Sequence, residues 1–208
     1  MASYVIISIL SYFIGSVSFS VIFGKIFGGL DVRDHGSGNA GSTNVLRTVG
    51  KKAAILTLLC DLLKGVLAVL LAFIVGNIVK TSDRALLIQL SGVFVLVGHI
   101  WPIFFNFKGG KGIATALGVL LIVNWQIGLI CLLFALILMA LTRMVSIGSV
   151  MAAILFPILT IFLTNTFIVK GSYLIFGVII SLIVIYKHRE NIKRVLNHTE
   201  NKLGNKKA

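Results

Sequence analysis

Charge is scarce in this chain. Only 12% of its 208 residues are Asp, Glu, Lys or Arg and 58% are apolar, whereas a soluble globular domain carries about 25% charged and about 45–50% apolar residues. A water-soluble enzyme is excluded, and lipid is the expected solvent. Acidic residues number six, and the histidines are not paired at ligand spacing, which excludes a metal site. Cysteine is nearly absent: Cys60 and Cys131 each lie inside an apolar run without a C-x-x-C neighbour, so neither a disulfide framework nor a zinc ribbon is expected.

Catalytic signatures are missing too. No G-x-x-x-x-G-K-[ST] loop occurs, which argues against an ATPase, and no G-x-S-x-G elbow occurs, which argues against the usual hydrolase nucleophile. Five positions after His35, His99, His188 and His198 stand Ala40, Phe104, Lys193 and Leu203, so the His-x4-Asp arrangement of many acyltransferases is absent. No Lys or Arg precedes the first apolar run, Tyr4 to Phe23, so it reads as a permanent span rather than a secretory signal.

Long apolar runs are what the chain does have. After the first, they cover about 53–75, 85–105, 112–123, 126–142, 147–163 and 172–186. Seven spans of about 20 residues would use roughly 140 and leave no room for a large extramembrane domain. The fourth, sixth and seventh runs are at or below the usual minimum length. The fourth and fifth form one stretch, Gly112 to Thr142, interrupted only by Asn124-Trp125-Gln126, so two short spans and one tilted span are both conceivable.

The excess of basic residues decides between these counts. On a soluble protein a net charge of +13 would suggest nucleic acid, but in a membrane chain Lys and Arg gather on the cytoplasmic side. Seven spans divide the cations 15 to 3, with Lys64 inside a span, whereas six divide them 8 to 10. The expected fold is therefore an all-α integral membrane protein of about seven transmembrane helices. It would be one domain over residues 1–208, with the N-terminus outside and a basic cytoplasmic tail over 187–208. No nucleic-acid partner is expected.

This topology places the polar loops 24–52, 106–111 and 143–146 and the tail on one face. The run Gly36-Ser37-Gly38-Asn39-Ala40-Gly41-Ser42-Thr43-Asn44 leading to Arg47 combines glycine backbone, small hydroxyls and amides, and a helix start, which together suit an anion such as phosphate. A turn-rich linker has similar composition. Lys108-Gly109-Gly110-Lys111-Gly112 adds two cations on approachable backbone. His188 and Asn191, three apart, would share a face if the seventh helix continues. Beyond them the basic tail suits anionic lipid. His99, beside Trp101 and Pro102, reads as an interfacial structural histidine. Asp61 and Lys64 lie three apart in mid-span, where charge is costly; a structural ion pair is the simpler reading, and Lys64 reaching an anionic substrate is the alternative.

Gly36 through Asn44 with Arg47, Phe107-Lys108-Gly109-Gly110-Lys111-Gly112 and His188-Arg189-Glu190-Asn191-Ile192 resemble the three signatures of the bacterial acyl-phosphate:glycerol-3-phosphate acyltransferases, the PlsY family. The likeness runs the length of the chain and includes Asp61-Leu62-Leu63-Lys64-Gly65 and Thr142 through Ser146. His198 is a departure, standing where the family pattern has glycine before Thr199-Glu200.

The resemblance implies a multi-pass enzyme of the bacterial inner membrane, with its site facing the cytoplasm. It would transfer a fatty acyl group from acyl phosphate to the 1-hydroxyl of glycerol 3-phosphate without metal or other cofactor. By similarity Ser37, Arg47, Lys108, Ser146, His188 and Asn191 are expected in the catalytic pocket. Gly38, Asn39, Gly41, Thr43, Asn44, Gly109, Gly110 and Lys111 are expected to line or shape the phosphate sites. Membrane lipid is the surrounding partner, and a monomer would suffice. The competing class, a transporter of a phosphorylated metabolite or other anion, would use the same cations but needs polar groups through the membrane.

The charge split makes one topological prediction. In a variant with Cys60 and Cys131 replaced by Ala, a Lys206→Cys side chain stays unlabelled when intact cells meet a membrane-impermeant thiol reagent. Labelling from outside would sink the seven-span orientation.

Overall fold

A computed structural model describes residues 1–163 and 172–204; Lys170, Lys206 and Lys207, which enter the charge split, lie outside the described residues. The regular elements among the described residues are all helical. They are α1 (Ala2–Ser16), α2 (Phe19–Gly28), α3 (Ser42–Thr48), α4 (Lys51–Ile78), α5 (Arg84–Ile100), a short 3-10 turn (Ile103–Phe105), α6 (Ile113–Val123), α7 (Trp125–Thr142), α8 (Val145–Leu163), α9 (Ser172–Lys187) and α10 (Arg189–Leu196). The chain divides into two compact units, residues 1–123 and 124 onward.

Among the described residues five stretches are long and apolar enough to cross a membrane: Ala2–Gly28, Lys51–Ile78, Arg84–Phe105, Trp125–Thr142 and Val145–Leu163. Two apolar helices, Ile113–Val123 and Tyr173–Lys187, are shorter. The surface is apolar where a soluble protein would be polar. Leu59, Leu63 and Leu67 of α4 and Leu133, Leu136 and Ile137 of α7 are exposed, while Ser11, Thr57, Gln89, Ser91 and Thr115 are buried. Lipid solvates the former, so helix association depends on close packing and on hydrogen bonds among the latter.

In the first unit the close packing comes from missing side chains. Where α1 meets α5, a Cβ on Gly15 would strike the Val95 carbonyl oxygen and one on Gly98 that of Tyr12. Where α4 meets α6, Gly65 and Gly118 stand in the same relation to the carbonyls of Thr115 and Leu62. Ser11 Oγ donates to Ser91 Oγ at 3.0 Å, and Ser91 donates to the Ala68 carbonyl at 2.7 Å, joining α1, α5 and α4.

Tyr4–Phe23 reads as one continuous run in the sequence, but the backbone breaks within it. Val17 is extended, with ψ of 114°, and its carbonyl leaves the helical ladder. A free carbonyl at that depth is costly in hydrocarbon, and the donor comes from α4: Lys64 Nζ reaches the Val17 oxygen at 2.8 Å. Lys64 is ion-paired to Asp61 at 2.8 Å, both side chains being buried. The mid-span charges thus form an ion pair that also closes a helix break. The ambiguous stretch Gly112–Thr142 forms two helices, because Asn124 caps α7 with its side-chain oxygen, accepting from Ile127 N at 3.1 Å.

The second unit meets the same constraint at Pro157, inside α8. Proline has no N–H for the carbonyl four residues earlier, and Ser181 of α9 donates to that carbonyl, on Ala153, at 2.5 Å. Phe156, Tyr173 and Phe176 pack around the contact with ring centroids 5.8–6.1 Å apart.

The seventh apolar helix does not continue through the signature that follows it. The chain turns at His188, and α10 begins at Arg189, so the expectation of a shared helical face gives way to a helix restart. α10 then ends in a 6→1 and 5→2 pair of bonds, Thr199 N to Arg194 O at 2.8 Å and His198 N to Val195 O at 3.1 Å, with His198 at φ 56°. That is the Schellman motif, whose left-handed residue is usually glycine. The departure from the family pattern therefore falls where the backbone favours glycine for a physical reason. A left-handed residue with a Cβ costs about 1–2 kcal/mol, part of which glycine gives back through a freer unfolded chain. His198→Gly should accordingly stabilise the protein by about 0.5–1 kcal/mol, read as a higher Tm in detergent; a lower Tm would contradict this account of the turn.

Candidate active site

The first polar loop is built around one amide. After α2 ends at Gly29 in the left-handed region, residues 30–41 lie over a buried cluster of Val21, Val32, Ala40, Val45, Ala53 and Ala54. Asn44, buried in α3, accepts from Ser37 N at 2.9 Å through Oδ1. Its Nδ2 donates to the Val32 and His35 carbonyls at 2.6 and 3.0 Å. Gly36, at φ 61°, sits so close that a Cβ would strike Asn44 Oδ1. Asn44 therefore shapes the loop from beneath. Ser37 and Gly38 are exposed, Asn39, Gly41 and Thr43 are half-buried, and Arg47 is exposed in the last turn of α3.

The second polar loop comes after the Ile103–Phe105 turn. Asn106 and Phe107 both have φ of 56°, an uncommon conformation for residues with a Cβ, and they deliver an exposed Lys108. The main chain of α5 then anchors the two glycines after that lysine: Gly109 N donates to Ile100 O at 3.1 Å and Gly110 N to His99 O at 3.2 Å. Gly110 is where the loops meet. A Cβ there would lie 2.5 Å from the Ala40 carbonyl oxygen of the first loop and would strike the His99 ring.

Arg33 is a second link between these loops that the sequence reading counted only as a charge. It pairs with Asp31, NH2 to Oδ2 at 2.6 Å, donates from NH1 to the Phe105 carbonyl at 2.7 Å, and lies 5.9 Å from the Phe105 ring centroid. The Arg33 hydrogen bonds, working against burial, hold the Asp31 carboxyl below its ordinary range. The signal was present as Asp31-x-Arg33 just ahead of the glycine run; what it reaches was not.

In the second unit Glu200 is the organising group, and it too was missed. Its Oε1 accepts from Ser146 Oγ at 2.8 Å and from Asn191 Nδ2 at 2.7 Å, and its Oε2 accepts from Arg194 Nε at 2.8 Å. Leu203 N donates to the Arg143 carbonyl at 2.7 Å, tying the tail to the α7–α8 junction. Ser146 and Asn191 are thereby brought together, both buried. His188, also buried, donates from Nδ1 to the Val184 carbonyl at 2.8 Å, which makes Nε2 the basic nitrogen of the neutral ring. Burial pushes the Glu200 carboxyl up, but the bonds from Asn191, Arg194 and Ser146 outweigh it and leave the group below its ordinary value. An acid within a basic tail, directly after the turn at His198, was the available hint.

Among the described residues no group of three His, Cys, Asp or Glu side chains gathers where one ion could be held. In the first unit the loop backbone, hydroxyls and amides and the exposed Arg47 and Lys108 suit anion recognition; in the second, Ser146 and Asn191 are held on Glu200.

Outward-facing apolar helices carrying glycine- and lysine-bearing polar loops define a multi-pass membrane protein whose loops offer groups suited to an anion. The glycerol-3-phosphate acyltransferase family profile matches residues 5–198. A glycerol-3-phosphate acyltransferase of Clostridioides difficile (strain 630) is 46% identical over 205 residues, covering 99% of this chain and 98% of its own. One from Neisseria meningitidis (FAM18) is 44% identical over 197 residues, covering 95% and 96%. The crystal structure of PlsY, an integral membrane glycerol 3-phosphate acyltransferase, superposes in its glycerol 3-phosphate form with a TM-score of 0.85 at 36% identity, over 97% of this chain and 96% of that one. The chain belongs to the glycerol-3-phosphate acyltransferase family, whose integral membrane fold and acyltransferase activity it shares. Membership decides between the enzyme and transporter readings in favour of the enzyme.

The Glu200 hub gives a pH prediction with a definite sign. A carboxyl held below its ordinary value of about 4.3 contributes stability that is full above that value and is lost as pH falls through the lower folded value. Glu200→Gln should lower stability near pH 7 by about 1.5–3 kcal/mol and flatten the acid limb of Tm against pH. An acid limb as steep as that of the wild type would mean Glu200 is not the titrating anchor.

Proposed function

We propose that this enzyme transfers a fatty acyl group from acyl phosphate to the 1-hydroxyl of sn-glycerol 3-phosphate, releasing lysophosphatidic acid and inorganic phosphate. The observation that carries the reading is the pair of adjoining loops presenting Arg47 and Lys108 outward from a framework of Asn44, Arg33 and Gly110, a surface suited to phosphate. Two forms of the related PlsY crystal structure, with glycerol 3-phosphate and with lysophosphatidic acid, support the choice of acceptor and product.

Acyl phosphate is a mixed anhydride and already activated, so the protein's work is to place two anionic substrates and stabilise developing charge. The acceptor hydroxyl oxygen attacks the acyl carbonyl carbon, the bond from that carbon to the phosphate oxygen breaks, and phosphate leaves with the electron pair. Arg47 forks onto phosphate and Lys108 acts as a point charge, with Lys111 beside it. Ser37, Gly38, Asn39, Gly41, Thr43, Gly109 and Gly110 line or shape the phosphate sites, and Asn44 holds their loop. Ser146, His188 and Asn191 complete the catalytic set. We assign the hydroxyl proton to a substrate phosphate rather than to His188, whose Nδ1 meets a carbonyl, a weaker activator of Nε2 than a carboxylate. No cofactor is needed. The topology that accompanies this reading is one domain of seven spans in the bacterial inner membrane, with the N-terminus outside and the loops and C-terminus cytoplasmic. A monomer suffices.

Purified protein given acyl phosphate and glycerol 3-phosphate in a metal chelator should release phosphate at the undiminished rate, and acyl-CoA alone should not support turnover. In the same assay Arg47→Ala and Lys108→Ala each lose a charge-assisted bond worth about 1.5–3 kcal/mol, a fall on the order of 10–100-fold in kcat/KM, whereas Lys206→Ala changes little. Near wild-type kcat/KM for both loop variants would remove the phosphate-site reading, and full turnover on acyl-CoA would remove the donor.

A further inference from the structure

We propose that Asp61 and His99 are positioning residues for the Lys108–Lys111 loop, holding it from within the apolar helices; this rests on the reading of that loop as a phosphate site. Three buried ionisable side chains meet here. Asp61 Oδ1 is 2.8 Å from Lys64 Nζ and 3.5 Å from His99 Nδ1. The Asp61–Lys64 pair has a structural use at the break in the first span, where Lys64 reaches Val17. That use does not require an imidazole on the other side of the same carboxylate.

The location of the ring supplies the missing reason. His99 lies one residue from the end of α5, with its Nδ1 edge turned to Asp61 and its Nε2 edge against Gly110, where an added Cβ would strike it. The His99 carbonyl accepts from Gly110 N and the next carbonyl, of Ile100, accepts from Gly109 N. The ring is therefore wedged between a carboxylate fixed in α4 and the one glycine at which the second loop touches Ala40 of the first. Releasing the ring from Asp61 lets it move into or away from Gly110, and Lys108 and Lys111 move with that glycine. A buried ion pair gives little net stability for its desolvation, and the Val17 break accounts for Lys64, so placement of the ring is what remains to account for His99 beside Asp61.

The test uses the full-length protein in detergent with two variants, His99→Gln and Asp61→Asn/Lys64→Met. The second removes both charges together and leaves no unpaired ion behind. Tm and steady-state kinetics against glycerol 3-phosphate are measured beside Lys108→Ala. The expected result is a folded His99→Gln whose KM for glycerol 3-phosphate rises about 10–100-fold, as a displaced positioning group predicts, while kcat changes much less; a rise in the double variant alone, which also takes the donor from the Val17 carbonyl, would overturn the inference. An unchanged KM in the folded cluster variants, or a loss confined to kcat, while Lys108→Ala raises KM, would overturn this inference and leave the phosphate-site reading intact. An unchanged KM in Lys108→Ala as well would overturn both. Failure of both variants to fold would also overturn it, because the cluster would then serve folding rather than placement.

Discussion

A backbone carbonyl without a donor costs a membrane chain several kcal/mol in hydrocarbon, and the structure supplies such donors from neighbouring helices. Among the described residues the helical ladder breaks at Val17 and lacks a donor at Pro157 within α8. In each case a side chain from a neighbouring helix completes the bonding, Lys64 for the first and Ser181 for the second. Such donors must come close, and closeness in turn requires the bare glycines at the α1–α5 and α4–α6 contacts. The Asp61–Lys64 pair meets such a backbone need, since Lys64 supplies the donor at the Val17 break.

The polar loops obey a related logic outside the apolar stretches. Loops have few ladder bonds of their own, so side chains supply them: Asn44 beneath the first loop, Arg33 between the loops, and Glu200 among Ser146, Asn191 and Arg194. Each of these groups is committed to protein partners. The residues left facing outward, Ser37, Arg47 and Lys108, are those suited to an external anion. The acyl transfer proposed above, from an already activated donor, would ask for little beyond that division, since rigid placement and fixed positive charge supply most of what such a transition state needs.

Local information in the chain was sufficient for some of this. Apolar runs of span length, the asymmetric cations and the glycine-rich loops are properties of consecutive residues, and lipid as a solvent acts on them one segment at a time. The helical membrane fold and the family were legible for that reason. The break at Val17, the restart at His188 and the roles of Arg33 and Glu200 were not, because the partner in each case lies away in the chain or depends on a turn. Val17 needs Lys64, Arg33 needs Phe105, and Ser146 needs Glu200, 54 positions later. His198 shows both halves at once: the sequence marked it as a residue in place of glycine, and only the backbone, left-handed at that position, showed what glycine would have been for. Composition and short spacing determined what kind of protein this is, since solvation by lipid acts on each residue independently of where the chain folds. Which side chains remain available for chemistry was decided by the tertiary structure, since a hydrogen bond consumes a donor only when its acceptor has been brought within about 3 Å.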